Sequence, residues 1–318
     1  MKIVNLDGYT VNPGDQSWEA FEKFGDVTIY ERTLPNQIIE RAQNAEILII
    51  NKTVITKEII EKLPKLKYIG LQSTGYNVVD CKAARERGIT VCNIPAYSTN
   101  AVAQLVFAFI LNISNAVSLH SESVKRGEWS SCPDFCYWKT PLCELDGKTL
   151  GIIGYGSIGM RVSEIASAFN MNILVYTPHP KEQGAVKSLK FTTLDDVLEN
   201  SDFVTCHCPL TNETNKIINE KALKKMKNTA VLINTSRGPV VDEAALYNAL
   251  KNGEIAWACL DVLESEPPKA DNPLYTLENC VITPHIAWAA FETRKRLMGI
   301  LYDNLKAFLN GKAQNVVN

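Results

Sequence analysis

Short apolar runs alternate with amphipathic stretches over the first hundred residues of the chain. The apolar runs are rich in β-branched residues and predict strands at Lys2–Leu6, Val27–Glu31, Ile47–Asn51, Leu66–Ser73 and Thr90–Asn93. Between them the periodicity predicts helices such as Thr56–Leu63 and Val79–Arg87, the second ending at Gly88. This alternation predicts a parallel sheet with helices on both faces.

The pattern changes in the middle of the chain and then returns. A long helix is predicted from about Asn100 to Arg126, followed by a loop rich in Trp, Cys and Pro from Gly127 to Pro141. A second series of strands is predicted at Thr149–Gly154, Asn172–Tyr176, Asp202–His207, Thr229–Thr235, Trp257–Val262 and Cys280–Thr283. A last helix is predicted at Ala290–Leu309. Two α/β domains with doubly wound parallel sheets suit a chain of 318 residues.

Composition removes several classes of function. The chain has 33 Lys and Arg residues and 35 Asp and Glu residues, and it contains no long basic run. The sequence therefore gives no sign of a surface that binds nucleic acid or an anionic membrane. The longest apolar stretch, Ala101–Ile113, is too short to cross a bilayer. The chain opens on a strand pattern and not on a signal peptide, so we expect a cytoplasmic protein. The nine cysteines are odd in number and lack zinc-site spacing, so we expect neither disulfides nor a metal site.

A glycine-rich turn follows the first strand of the second series. Gly154, Gly156 and Gly159 form the pattern G-x-G-x-x-G between a predicted strand and a predicted helix. In dinucleotide-binding units the first glycine permits a tight turn and the second lets the backbone approach a pyrophosphate. The third lets the helix pack closely on the strand, and the helix N-terminus attracts the phosphates. The turn therefore predicts a Rossmann-type cofactor site opening at Gly154.

The acidic residue that often selects NAD is absent from its usual place. The next strand ends at Tyr176 and continues into Thr177, Pro178 and His179, where an NAD-preferring site carries Asp or Glu for the ribose hydroxyl. His179 or Lys181 could attract a 2′-phosphate, or Thr177 could bind the ribose. From these residues, NAD and NADP therefore both stay open.

Three segments that follow predicted strands carry side chains suited to reducing a 2-keto acid. They are Asn234–Gly238, Asp261–Pro267 and Thr283–Ala287. Arg237 offers a bidentate fork for a carboxylate, and His285 titrates near neutrality and can donate a proton. Glu266 would orient the imidazole and favour its protonated form, with Glu264 as the alternative in the same loop.

Together these segments resemble the D-isomer-specific 2-hydroxyacid dehydrogenases over essentially the whole chain. The most specific part is Asn234–Pro268, which with Thr283–Ala287 is similar to the family's Arg/Glu/His triad. The resemblance assigns the triad to Arg237, Glu266 and His285. It also implies a Rossmann-type nucleotide domain, residues 99–287, inserted in a flavodoxin-like substrate domain made of residues 1–98 and 288–318.

Other segments resemble the glycerate dehydrogenase, or hydroxypyruvate reductase, branch of the family: Thr74–Asp80, Asp134–Trp138 and His285–Ala289. This implies hydride transfer that interconverts hydroxypyruvate or glyoxylate with D-glycerate or glycolate, using NAD or NADP, with NAD favoured. It places Thr99 near the nicotinamide, Asp261 near its amide and the substrate carboxylate on backbone amides of residues 73–75. The expected cofactor contacts are Gly154, Gly156, Ser157, Ile158, Gly159, Thr177, His207, Cys208, Pro209, Thr214, Thr235, Ser236, Asp261, Thr99 and Ala287. The expected substrate contacts are Ser73, Thr74, Gly75, Arg237 and His285.

Two other functions remain as alternatives. One keeps the mechanism and changes the acid to D-lactate or another D-2-hydroxy acid. The other is a dinucleotide-sensing binding protein similar to the corepressors related to this family. Apolar positions beyond one stripe on the predicted long helix, with the loop after it, predict a homodimer. Trp138 and Trp288 belong either to the core or to a substrate wall.

Overall fold

The chain forms two compact units in a computed structural model that describes residues 1–180, 186 and 188–318. Unit 1 comprises Met1–Ser98 and Trp288–Asn318, and unit 2 comprises Thr99–Ala287. Lys181, one of the cations considered for a 2′-phosphate, lies outside the described residues.

Unit 1 contains a parallel sheet of five strands. The strands are β1 (Lys2–Asn5), β2 (Asp26–Ile29), β3 (Ile47–Ile50), β4 (Tyr68–Leu71) and β5 (Thr90–Cys92), in the order β2-β1-β3-β4-β5. Every residue of β3 and of β4 is buried, as expected for central parallel strands with both faces covered. The five strands confirm those predicted in the first hundred residues.

The described residues of unit 2 form a parallel sheet of seven strands. These are β6 (Thr149–Ile153), β7 (Asn172–Tyr176), β8 (Leu189–Phe191), β9 (Phe203–Cys206), β10 (Val231–Asn234), β11 (Trp257–Leu260) and β12 (Cys280–Ile282). Their order is β12-β11-β10-β9-β6-β7-β8. The two parallel α/β sheets confirm the predicted fold class. The edge strand β8 was not predicted, because three residues are too short to show a period.

Eleven α-helices lie between or after the strands in the described part of the chain. They are α1 (Glu19–Glu22), α2 (Ile38–Ala42), α3 (Lys57–Glu61), α4 (Cys81–Glu86), α5 (Thr99–Asn115), α6 (Val117–Lys125), α7 (Ser157–Ala168), α8 (Leu194–Asn200), α9 (Glu220–Leu223), α10 (Glu243–Lys251) and α11 (Phe291–Leu309). Side chains cap several N-termini: Asp80 accepts from the Ala83 amide, and Asp242 accepts from the Ala245 amide.

The single long helix predicted for residues 100–126 is wrong, because the chain breaks at Ala116. Ala116 adopts a left-handed conformation with φ of 44° and separates α5 from α6, which are bent by 50°. The Ser114 carbonyl accepts the amide of Cys143 at 3.0 Å. Ser and Asn near the break also favour non-helical backbone. Among the described residues, no single helix is long and apolar enough to span a membrane, although the bent pair reaches that length.

Candidate active site

The loops predicted to carry chemistry in unit 2 follow strands that are neighbours in its sheet. β12, β11, β10, β9, β6 and β7 lie side by side in that order, and all are parallel. Their carboxyl ends therefore meet at one edge. Ligands of open α/β sheets bind at this edge.

The glycine-rich turn after β6 has little room for side chains at two of its three glycines. Gly154 has φ of +95°, and a Cβ there would lie 2.6 Å from the Cys208 nitrogen. A Cβ on Gly159 would lie 2.4 Å from the Gly154 carbonyl oxygen, so this glycine lets α7 approach the turn. Nothing lies within 4 Å of a Cβ built on Gly156. Ser157 and Ile158 begin α7, whose N-cap makes no side-chain hydrogen bond.

The end of β7 carries a hydroxyl where an acid often stands. Thr177 is partly buried, and its Oγ1 lies 3.4 Å from the His179 amide in a marginal hydrogen bond. His179 is exposed. The contact of Thr177 with a cofactor ribose stays a prediction.

The loop after β9 holds a neutral histidine. His207 Nε2 hydrogen-bonds Thr205 Oγ1 at 3.0 Å, and its Nδ1 is buried without a partner in the described structure. Burial lowers the pKa of His207 to about 3 and raises the pKa of the neighbouring Cys208 thiol to about 11. Further along, the Thr214 hydroxyl donates to the Pro209 carbonyl at 2.6 Å and closes this loop.

Arg237 stands on a turn shaped by Asn234. The buried Asn234 amide donates to the Arg237 carbonyl at 2.9 Å, and its Oδ1 accepts from the Ser236 amide at 3.0 Å. This bonding leaves the Arg237 side chain exposed, with Nη1 on the Ser236 carbonyl at 2.7 Å. Thr235 Oγ1 is buried and has no partner among the described residues. A Cβ on Gly238 would lie 1.9 Å from the Leu263 oxygen, so glycine lets the Arg237 turn contact the loop after β11.

Glu266 and His285 meet at the edge of the sheet. His285 Nδ1 donates to Glu266 Oε2 at 2.6 Å, and Glu266 Oε1 accepts from the Leu263 amide at 3.1 Å. The side chains are 31% and 34% exposed, so the pair is open to a ligand but partly shielded from water. The bond leaves Nε2 of His285 as the ring nitrogen free to serve a ligand.

Glu264, the alternative carboxylate, is directed elsewhere. Its Oε1 accepts from the Glu243 amide at 3.3 Å and lies 3.6 Å from Lys216 Nζ. The geometry therefore favours Glu266 as the partner of His285.

Asp261 organises the segment that carries His285. Its buried carboxylate accepts from Thr283 Oγ1 at 2.6 Å and from the amides of Ile286 and Ala287 at 2.8 Å each. These bonds flank His285, which has φ of 54° in the left-handed region. The contact with a nicotinamide amide, implied by resemblance, stays a prediction.

In unit 1, the loop after β4 presents free amides. The Ser73 carbonyl accepts from the Ile94 amide at 3.0 Å, the Thr74 carbonyl from Asn93 Nδ2 at 2.7 Å and the Gly75 carbonyl from Ser73 Oγ at 2.7 Å. The amide N–H groups of residues 73–75 have no acceptor in the described structure. Consecutive free amides of this kind suit an anion.

The sequence and structure of the chain match those of known dehydrogenases. The family model for the "D-isomer specific 2-hydroxyacid dehydrogenase, NAD binding domain" matches residues 107–287. The chain belongs to the D-isomer-specific 2-hydroxyacid dehydrogenase family. A hydroxypyruvate reductase of Blautia hydrogenotrophica is 46% identical over the whole of both chains, and a glycerate dehydrogenase of Methylorubrum extorquens is 44% identical over 99% of this chain and 98% of its own. A solved acyclic imino acid reductase in complex with NADPH and D-Arg is 34% identical, covers the whole of both chains and has a TM-score of 0.85.

The residues of this dehydrogenase fit the dinucleotide that its NAD-binding domain takes. The space at Gly156 and the uncapped amides at the start of α7 suit a pyrophosphate. The orphaned hydroxyl of Thr235 needs a hydrogen-bond partner that a bound ligand would supply.

Sequence reasoning missed the residues that shape these loops. Asn234 and Gly238 were named only as members of a motif. An Asn at the end of an apolar, buried strand already indicates a side chain that hydrogen-bonds the backbone. The two tryptophans have separate surroundings: Trp288 packs on the unit 1 core, and Trp138 is 66% exposed. Four of the nine cysteines are buried, and Cys136 is exposed. Thr99 is the first residue of α5.

Proposed function

We propose that this dehydrogenase reduces hydroxypyruvate or glyoxylate and oxidises D-glycerate or glycolate in the reverse direction. The observation that carries the proposal is the hydrogen bond of 2.6 Å between His285 and Glu266. It supplies an oriented proton donor on the same sheet edge as Arg237, and relatives named for hydroxypyruvate and glycerate align over the full chain.

In the proposed reaction each side chain has one task. The Arg237 guanidinium binds the substrate carboxylate and polarises the carbonyl. His285 gives its Nε2 proton to the carbonyl oxygen as that oxygen gains negative charge, and Glu266 stabilises the imidazolium. The nicotinamide, when bound, supplies the hydride. In unit 1, the amides of residues 73–75 bind a carboxylate.

For the cofactor we propose NAD or NADP, with NAD preferred. The described residues at and after the end of β7 place Thr177, and no carboxylate, where an acid would repel a 2′-phosphate. The match to an NAD-binding family model supports NAD. The solved relative that binds NADPH supports NADP as the alternative.

A panel of 2-keto acids with NADH and with NADPH, followed by nicotinamide absorbance, tests both proposals. We expect the highest kcat/KM with hydroxypyruvate or glyoxylate. Turnover confined to pyruvate would instead support a D-lactate dehydrogenase, and cofactor binding without any turnover would support the binding-protein alternative.

We further propose a cytoplasmic homodimer. The nine cysteines are all unpaired, which fits a reducing compartment. Large apolar side chains are exposed on α6 and on the segment after it, residues 127–142, which we call the arm: Val117, Leu119, Val124, Trp129, Phe135, Trp138 and Leu142. Hydrogen bonds hold this arm in place, since the His120 ring joins the Ala116 carbonyl to the Lys139 amide. An ordered apolar surface of this kind suits a two-fold interface.

Light scattering tests the dimer. We expect about twice the chain mass of 35.3 kDa. Phe135→Asp, at a side chain 88% exposed on the arm, should weaken the dimer, whereas Leu34→Asp, at a side chain 61% exposed in unit 1, should not. A monomer at every concentration would contradict the proposal.

A further inference from the structure

A wholly buried asparagine interrupts the apolar face of α11. Leu297, Leu301 and Leu305 form this face, and Asn304 lies among them with no exposed surface. A buried amide needs hydrogen-bond partners. Asn304 Nδ2 donates to the Asn93 carbonyl at 2.9 Å, and Asn304 Oδ1 accepts from Asn315 Nδ2 at 2.8 Å.

Asn93 is therefore held from two sides. Its amide donates to the Asn315 carbonyl at 3.1 Å, while its own carbonyl accepts from Asn304. Asn315 has φ of 54°, a conformation that asparagine tolerates better than most residues. The chain then runs beside β5, where the Val317 amide donates to the Val91 carbonyl at 2.9 Å.

The side chain of Asn93 continues this series of bonds to the loop after β4. Its Nδ2 donates to the Thr74 carbonyl at 2.7 Å. Because a trans peptide is planar, its C=O and the next N–H point in opposite directions. Holding the Thr74 carbonyl toward Asn93 therefore points the Gly75 amide away from Asn93. The Ile94 amide acts likewise on the Ser73 carbonyl and so orients the Thr74 amide.

We propose that Asn93 is the positioning residue of the carboxylate-binding amides, and that Asn304 and Asn315 hold Asn93 in register. This inference rests on the proposed role of residues 73–75 in binding the substrate carboxylate. It assigns a function to the polar residue on α11, which packing alone does not need. Without the series of bonds, the amides would have to be ordered by the substrate, and binding would weaken.

Two variants separate positioning from folding. Asn93→Ala removes the donor to Thr74, and we expect KM for the 2-keto acid to rise about tenfold, as for one lost hydrogen bond, with kcat nearly unchanged. Asn304→Leu replaces the buried amide by an apolar side chain of similar size. We expect KM to rise several-fold. Tm should fall as well, because the Asn93 carbonyl loses its donor, but a purely structural role would lower Tm without raising KM.

The matched control is Asn279→Ala in unit 2. Asn279 Nδ2 also donates to backbone carbonyls, those of Ala256 at 3.0 Å and Leu250 at 3.3 Å, but it precedes β12 at the opposite end of the strands. We expect it to leave KM unchanged. The KM for NADH should also stay at the wild-type value in all three variants.

A second measurement does not depend on turnover. Calorimetric binding of oxamate, an unreactive carboxylate, in the presence of NADH should weaken in Asn93→Ala and Asn304→Leu in proportion to the rise in KM. Unchanged oxamate affinity in both variants, or a fall in kcat at constant KM, would overturn the positioning role. Failure of the wild type to reduce any 2-keto acid would instead overturn the proposed function, and oxamate binding would still decide the role of Asn93.

Discussion

Acid should destabilise unit 2 through the neutral ring of His207. Burial lowers the pKa of this histidine from 6.5 to about 3. Above its ordinary pKa the folded and unfolded states both hold a neutral ring, so the ring adds no pH dependence there. Below that value the unfolded chain binds a proton that the folded chain does not, and stability falls as the pH falls. The loss reaches about 2 kcal/mol at about pH 5 and about 4 kcal/mol near pH 3.

The assay compares wild type with His207→Asn, which cannot titrate. Urea unfolding at about pH 8 and about pH 5 gives the loss of unfolding free energy for each protein, and wild type should lose about 2 kcal/mol more. Carboxylates with lowered pKa, such as Asp202 and Glu128, contribute equally to both proteins and cancel. His179→Asn, at an exposed ring, is the matched control and should behave as wild type. Equal losses in wild type and His207→Asn would refute the reasoning.

Three further substitutions test the site. Arg237→Ala should lower kcat/KM, because the transition state loses several kcal/mol of stabilisation. Arg237→Lys should recover only part of the lost kcat/KM, because an ammonium lacks the bidentate fork. Glu266→Gln keeps the shape at His285 but removes the negative charge that orients the ring as a proton donor, so kcat for reduction should fall about tenfold, while Glu264→Gln should leave it unchanged. Thr177→Asp should suppress NADPH turnover and spare NADH, since a carboxylate near a 2′-phosphate costs about 1–4 kcal/mol.

Each of these has a contradicting result. Near-normal kcat/KM in Arg237→Ala would mean that the substrate binds elsewhere. A fall in kcat in Glu264→Gln and not in Glu266→Gln would mean that Glu264 is the carboxylate that serves His285. Equal NADPH efficiency before and after Thr177→Asp would show that Thr177 does not face the ribose.

The elements that sequence predicted well are those whose signal is local. Ile47–Ile50 and Val231–Asn234 are largely apolar runs, and each forms a buried strand. The turn at Gly154 is recognisable from the spacing of its three glycines. The break at Ala116 was harder to predict, because one of the interactions beside it is distant in sequence: the Cys143 amide donates to the Ser114 carbonyl.

Long-range polar contacts of the site were also not predictable from the sequence. Arg237, Glu266 and His285 stand in recognisable segments, so a resemblance could assign them. Asn93 and Asn304 are 211 positions apart, and no local pattern joins them. Only the fold brings the two together.

The discontinuity of unit 1 has a consequence for the order of events during synthesis. Unit 2 is complete once the ribosome has made residue 287, whereas unit 1 still lacks α11. Arg294 is translated after the whole of the inserted unit. Its guanidinium donates to the Asp15 carboxylate, 279 positions earlier, in two hydrogen bonds of 2.7 and 2.5 Å. Unit 2 is therefore the first unit to have all of its residues synthesised, although the N-terminus belongs to unit 1. Until α11 emerges, the apolar residues that pack against it, such as Phe21 and Tyr68, stay uncovered and open to chaperones.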